Sequence, residues 1–350
     1  MAVTQREIAE KANVSINTVS VVLRGAPDSV ISDATRDKIV QIANDLGYRP
    51  NPHARALVGA KAPLIKIAHR PWTDYISNIK GATLLEALSG MDRDVMVTGG
   101  IKDDDVDASI DALLWGAPEA VVFQYPPIPL EEMTDICTAL HEDGIHVVLA
   151  DFKTVLPPDV PCDELHLDRT QGAQRAMDYL LSLGHRRIGL LVHEGHQGRL
   201  EGYHEVLTQH RINERFVEKL DVSDTAVGGR RDSEFPAAAR RATGRLLDRE
   251  PTITALLCSS DMVALGAMGT LQRRGLHVPN DVSVIGFHGE PWTEYLPVPL
   301  STMEEPVVQL AEMTKEFLAD RFNGDGSDWK REIVKYDLVE RASTGPAPMT

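Results

Sequence analysis

The chain has 350 residues, more than one small core can use, so two or three domains are expected. A net charge of −16 excludes a protein that is basic throughout, and three scattered cysteines exclude a disulfide framework or a zinc spacing. No apolar run approaches the length of a membrane span and no secretory signal is read, so a soluble cytoplasmic protein without membrane partners is expected.

The first predicted element is a short helix entered at Thr4. Thr4 followed by Glu7 is a capping box, in which the hydroxyl accepts from the Glu7 amide while the carboxylate returns to the Thr4 amide. Ile8, Ala9 and Ala12 share one face at helical spacing. Asn13 can adopt the left-handed conformation that stops this helix, and Ser15 can cap the next. Three residues between two short amphipathic helices is the helix-turn-helix plan. The second helix would offer Ile16, Asn17, Ser20, Val21 and Arg24 outward and turn Val19 and Leu23 inward. Short polar side chains so placed can reach base edges in a major groove, although two capped helices alone fit an ordinary helical hairpin equally well. A third helix is predicted over 33–46, capped by Ser32, with Ile39, Ile42, Ala43 and Leu46 on one stripe and Gly47 as its stop. The stretch 50–59 that follows holds Pro50 and Pro52 and is too short for a stable isolated helix. Residues 1–61 hold 8 Lys+Arg and 6 Asp+Glu, so +2, which leaves −18 for the remainder. An acidic body repels phosphate, so DNA would be met by this end alone.

The rest of the chain alternates short apolar runs with helical stretches. Strands are predicted within 64–68, 120–123, 146–150, 187–192, 255–258 and 282–287, and helices over 175–183 and 262–274. This pattern predicts doubly wound parallel sheets with ligand contacts at the carboxyl ends of the strands, and the size of the region favours two lobes around a cleft. Enzymatic chemistry finds no support: Gly99-Gly100 and Gly228-Gly229 lack a dinucleotide or phosphate-loop spacing, and no nucleophile elbow occurs. His193 and His196 invite a metal reading, but no third ligand is evident nearby and a polar loop at a cleft mouth fits better. Neither a cofactor nor a metal is expected.

Several motifs in order carry a resemblance. Val14-Ser15-x-x-Thr18-Val19-Ser20, then Leu46-Gly47-Tyr48-Arg49-Pro50-Asn51, then Ala54-Arg55-Ala56-Leu57 resemble the LacI/GalR (lactose-repressor) family of bacterial transcriptional regulators. His185-Arg186-Arg187-Ile188-Gly189 matches a family strand entry, and the runs from Ser260 to Met268 and from Gly275 to Phe287 are its most diagnostic pieces. The resemblance implies a helix-turn-helix DNA-binding domain over 1–49, a hinge over 50–61 and an effector-binding and dimerisation domain over 62–345. The last is a periplasmic-binding-protein-like pair of lobes joined by three crossovers, placed here near 162–165, 287–291 and 322–329. It implies a homodimeric repressor of a palindromic double-stranded DNA operator, controlled by a sugar or related small molecule. The competing class is a small-molecule-binding protein that does not read DNA sequence.

Residue roles follow from the same resemblance. Thr4, Ser15, Thr18 and Ser20 would position the head on phosphates, while Ile16, Asn17, Val21 and Arg24 would read bases. Asn51, Arg55 and Leu57 belong to the hinge, which would fold when two protomers sit on DNA, with Leu57 wedged into a minor-groove step. Val21 stands where the family commonly has arginine, and a thymine methyl is the contact it can make. Effector contacts are expected from Trp72, Tyr75, Asp151, Arg199, Asp261 and His288, with Arg199 as the clamp. Trp72 would equally pack a loop, Asp151 cap a turn and Asp261 cap a helix. His288 replaces the usual acidic residue, so an anionic or aromatic ligand competes with a simple sugar.

Overall fold

The structure is a computed structural model that describes residues 3–23, 31–46, 48, 62–69, 75–99, 106–124, 128–222, 230–324 and 328–349. It divides into two compact units, Met1–Ala62 and Pro63–Thr350.

In the first unit, α1 (Gln5–Ala12), α2 (Ile16–Leu23) and α3 (Asp33–Asp45) pack mutually. The capping box forms: the Thr4 amide donates to the Glu7 carboxylate at 2.7 Å, and the Glu7 amide to Thr4 Oγ1 at 3.4 Å. Asn13 takes the left-handed conformation at φ 59°, ψ 49° and so ends α1. Ser15 Oγ then accepts from the Thr18 amide at 3.0 Å and caps α2. Lys38 Nζ donates to the Ala12 carbonyl at 3.0 Å, placing a positive charge on the carboxyl end of α1. The core is Ile8, Ala9, Ala12, Val19, Val22, Ile39 and Ala43. One sequence expectation changes here. Val22, not read as inward, is buried with Val19, while Leu23 packs inward but is only partly covered. The inward stripe of a 100°-per-residue helix spans all three positions, and Leu23 lies at its end. Gly47 and the hinge stretch 50–59 lie outside the described residues.

The second unit is built on two six-stranded sheets. The first contains β1 (Ala62–His69), β2 (Asp94–Gly99), β3 (Pro118–Gln124), β4 (His146–Ala150), β5 (Asp163–Leu167) and β11 (Arg331–Val334), in the order β11-β5-β4-β3-β1-β2. The second contains β6 (Ile188–Val192), β7 (Phe216–Lys219), β8 (Ala255–Cys258), β9 (Ser283–His288), β10 (Ser301–Glu304) and β12 (Asp337–Val339), in the order β12-β10-β9-β8-β6-β7. β12 runs antiparallel to β10, and β6 to β10 pair in parallel. Helices α4 (Tyr75–Ser89), α5 (Val106–Leu114), α6 (Leu130–Glu142) and α11 (Val307–Asn323) pack with the first sheet. Helices α7 (Arg169–Ser182), α8 (Gln197–Gln209), α9 (Arg230–Arg249) and α10 (Asp261–Arg273) pack with the second. The six predicted apolar runs all lie within or across these strands, unbroken because layers of helix cover both faces.

The chain passes between sheets three times, at places other than those expected. β5 still pairs with β4 and β11, so the first passage follows at Asp168 rather than within 162–165. The stretch 287–291 ends β9 but does not leave its sheet: a 3-10 turn (Pro291–Tyr295) leads into β10 beside β9, and the passage comes at Glu305–Pro306. The third lies between β11 and β12 at Lys335–Tyr336, not within 322–329, where α11 is still feeding the first sheet. A strand end followed by Gly and Pro reads as an exit, whereas backbone pairing of the next short strand decides it.

Candidate functional site

On the head, α2 presents Ile16, at 48% exposure, and Asn17 to solvent, with Ser20 and Val21 half-buried on its flank. The hydroxyls of Thr4, Ser15 and Thr18 lie at helix starts. Ser15 Oγ and Thr18 Oγ1 are 2.8 Å apart, and Thr4 Oγ1 lies 3.2 Å from the Glu7 carboxylate. Oxygens and amides at a helix amino end suit an anionic phosphate. Arg24, Asn51, Arg55 and Leu57 lie outside the described residues.

In the second unit, the carboxyl ends of the parallel strands bring polar groups of both lobes together. Asp151 follows β4 with φ 67°, a left-handed turn that points the chain away from the strand. Its carboxylate is buried and accepts from Lys80 Nζ of α4 at 2.7 Å and from Arg169 Nη2 at 2.5 Å. Arg169 begins α7 of the second lobe, so this pair joins the lobes. Lys80 also pairs with Glu305, at the second passage between sheets. Burial alone would lower the Lys80 ammonium, but the Asp151 and Glu305 carboxylates reverse this and raise it. Burial would likewise raise Asp151, and Arg169 and Lys80 together hold it below its ordinary value. Both lysine and aspartate are therefore charged.

The second lobe supplies a different surface. Arg199 on α8 is 2% exposed, lies over the Phe287 ring at 4.3 Å, and places Nη2 2.9 Å from His288 Nε2. A guanidinium only donates, so Nε2 accepts and the neutral His288 ring carries its proton on Nδ1. His196 lies edge-on to His288, with centroids 6.3 Å apart, and stacks on Phe235 at 6.5 Å; His193 meets both His196 and Phe235 edge-on. Burial, then the nearby Arg199, pushes His288 and His196 well below the ordinary imidazole value. Tyr336, at the third passage, packs on Phe287 at 4.9 Å, and its phenol is raised by burial and by Glu305. Among the described residues no group of three or more His, Cys, Asp and Glu side chains has an arrangement that could hold a metal ion.

The expected effector contacts divide accordingly. Asp151 and His288 stand at strand ends, and Arg199 lies in the first turn of α8 beside His288. Tyr75 is exposed at the first turn of α4. Trp72 lies outside the described residues. Asp261 is wholly buried at the start of α10, where Ser260 provides the cap instead. Its carboxylate accepts from the Thr302 hydroxyl at 2.6 Å and the Glu290 amide at 2.8 Å. Burial raises it to about 7 against those donors. A Cβ at Gly286 would meet its Oδ1 at 2.2 Å, which explains glycine there. Asp261 thus fixes the loop that carries His288. Sequence reading missed Lys80, Arg169, Glu305, Phe235 and Tyr336. A lysine on an amphipathic helix or an arginine after a strand carries no local mark of its partner.

Comparison with known proteins identifies two domains. The profile described as "Bacterial regulatory proteins, lacI family" matches residues 4–51, and that of the "Periplasmic binding protein-like domain" matches residues 177–344. The chain carries a lacI-family DNA-binding domain and a periplasmic-binding-protein-like domain. It is a DNA-binding transcriptional regulator. Similar relatives include the HTH-type transcriptional repressor CytR of Escherichia coli K12, 27% identical over 99% of this chain and 98% of that protein. The probable HTH-type transcriptional repressor ExuR of Bacillus subtilis is 28% identical over 88% of each. Among solved structures, a lac repressor dimer bound to operator and the anti-inducer ONPF superposes with TM-score 0.77 at 23% identity, covering 99% of this chain and 100% of that one. A CelR–cellobiose complex gives 0.66 at 22% identity, covering 97% and 99%. These structural likenesses bear on the fold: a helix-turn-helix head and a two-sheet periplasmic-binding-protein-like body.

Proposed function

We propose that this protein is a cytoplasmic, homodimeric repressor of the lacI family that binds a palindromic operator and changes its operator affinity when a small molecule enters the cleft between its lobes. The observation that carries the reading is the capped α1–α2 pair with Ile16 and Asn17 exposed on the second helix, in a chain whose full-length relatives are named repressors. Residues 1–49 form the DNA-binding domain, 50–61 the hinge and 62–345 the effector and dimerisation domain. Ile16, Asn17, Val21 and Arg24 read bases; Thr4, Ser15, Thr18 and Ser20 hold phosphates; Asn51, Arg55 and Leu57 act through the hinge. Among the described residues no helix is long and apolar enough to cross a membrane.

In the cleft, Arg199 and His288 contact the effector, with Trp72 and Tyr75 approaching from the first lobe. Asp151 senses the effector through its ion pairs, and Asp261 positions His288. A ligand that prefers one arrangement of the lobes shifts the population of that arrangement, and linkage makes the coupling to DNA reciprocal. Selection of bound duplexes from a random pool by the purified protein tests the reading. A palindrome of about 14–20 base pairs is expected from two heads on neighbouring grooves. Enrichment of no sequence, with or without candidate ligands, would favour a small-molecule-binding protein that does not read DNA.

A further inference from the structure

We infer that the effector is an anion, whose carboxylate or phosphate group docks against the His288–His196–Tyr336 wall of the second lobe beside Arg199. This rests on the cleft being the effector site. The first observation is the proton inventory. Because Arg199 donates to His288 Nε2 at 2.9 Å, His288 Nδ1 bears hydrogen, and that atom is buried without an acceptor. His196 Nδ1 and the Tyr336 hydroxyl oxygen are also buried with no hydrogen-bond partner. Buried polar groups normally find partners, and each one left alone costs about 1–3 kcal/mol. Three such atoms belong to one connected cluster: His196 lies against His288, and Tyr336 against Phe287, the residue that precedes His288 and underlies Arg199. The cluster lacks a complementary group, and a ligand can provide it.

The second observation is where the acceptors are. A neutral polyol is commonly held by a carboxylate that accepts from its hydroxyls. Two acids near this wall already have donors: Asp151 takes Lys80 and Arg169, and Asp261 takes Thr302 and the Glu290 amide, while Glu305 is charge-paired with Lys80. Glu290 is buried and accepts from the Trp292 indole N–H at 2.5 Å. The wall itself offers an imidazole N–H, a phenol O–H and a guanidinium, which are donors toward an incoming group. A ligand rich in acceptors satisfies them, and charge-assisted bonds make an anion the stronger partner. Phe235 stacked on His196 adds an apolar face for the body of the ligand.

The test uses the full chain and matched probes. Thermal unfolding is followed with glucuronate, galacturonate and glucose 6-phosphate, each beside its neutral parent, glucose or galactose. The same preparations are assayed for binding to a selected operator. At least one acid is expected to raise the transition temperature while its parent does not, and the carboxylate and phosphate arms separate the two sources of charge. His288→Asp, which puts a carboxylate beside Arg199, is expected to weaken that acid by about tenfold or more. His196→Asn, farther from Arg199, provides a second variant with a smaller loss. A neutral parent that stabilises as well as its acid, or no stabilising acid at all, overturns the inference. If operator binding persists in that case, the regulator reading stands; if the protein binds no operator, that reading fails on its own.

Discussion

On the first-lobe side of the cleft, buried carboxylates are matched by cations: Asp151 and Glu305 share Lys80, and Asp151 also takes Arg169. On the second-lobe side, His288 and His196 are kept neutral by burial beside Arg199, and Asp261 is held by a hydroxyl and an amide rather than by a cation in direct contact. The Asp151–Arg169 pair crosses from one lobe to the other, so any change in lobe spacing acts on it directly. The contacts among His193, His196, His288 and Arg199 lie within one lobe. On the proposed reading, one side registers where the lobes are, and the other recognises the effector.

Cutting the ionic side is expected to have the largest effect. Lys80→Met leaves two buried carboxylates short of a cation and should destabilise the second unit by about 3–5 kcal/mol, read by urea unfolding. A loss under about 1 kcal/mol would mean that the cluster is solvated. On the head, Asn17→Ala should weaken operator binding by about 1–3 kcal/mol without altering unfolding of the second unit, measured by duplex titration at fixed salt. Asp261→Asn keeps an acceptor for Thr302 or for an amide and should cost only about 1 kcal/mol. A loss as large as that of Lys80→Met would erase the contrast between the two walls.

The smallest effect concerns pH. His288 and His196 have folded-state values well below the unfolded value of about 6.5. Between those values the unfolded chain binds more protons, so their contribution to stability is present above about pH 6.5 and is lost as pH falls below it. Asp261, raised to about 7, acts in the opposite sense: the folded state binds its proton first, so its contribution fades as pH rises toward 7. Transition temperatures of wild type and His288→Asn at pH 7.5 and 5.5 isolate the histidine share. The variant is expected to lose less on acidification, and an equal loss would place the His288 titration in its ordinary range.

Much of the fold was legible because its signals are local. The Thr4–Glu7 box, the Asn13 stop and the Ser15 cap depend on neighbours three residues apart, and all three are realised. Apolar runs marked β3, β6 and β9 because burial on both faces demands them. β5 carries Asp163, Glu164 and His166 in a buried strand, with Asp163 held by Arg321 from α11 at 2.6 and 2.9 Å. No hydrophobic pattern announces such a strand. The second and third of the three misplaced passages have the same origin, since β10 and β12 are four and three residues long. At the cleft, the strand-end residues Asp151 and His288 were legible, but the partners that set their protonation come from Lys80, Arg169 and Arg199, distant in the chain. Asp261 shows the limit of motif matching: its place in a family motif says nothing of Thr302 across the strand.

The proposed regulation requires the lobes and the reading head to share one equilibrium. Its most direct test is titration of a selected operator duplex with wild type and with Arg169→Gln, which removes the charge of the lobe-to-lobe pair. Coupling between sites is typically about 1–3 kcal/mol, so operator affinity should change by about fivefold or more with the head sequence untouched. Identical affinities, in a variant that remains folded and dimeric, would contradict the account and leave the head independent of the cleft.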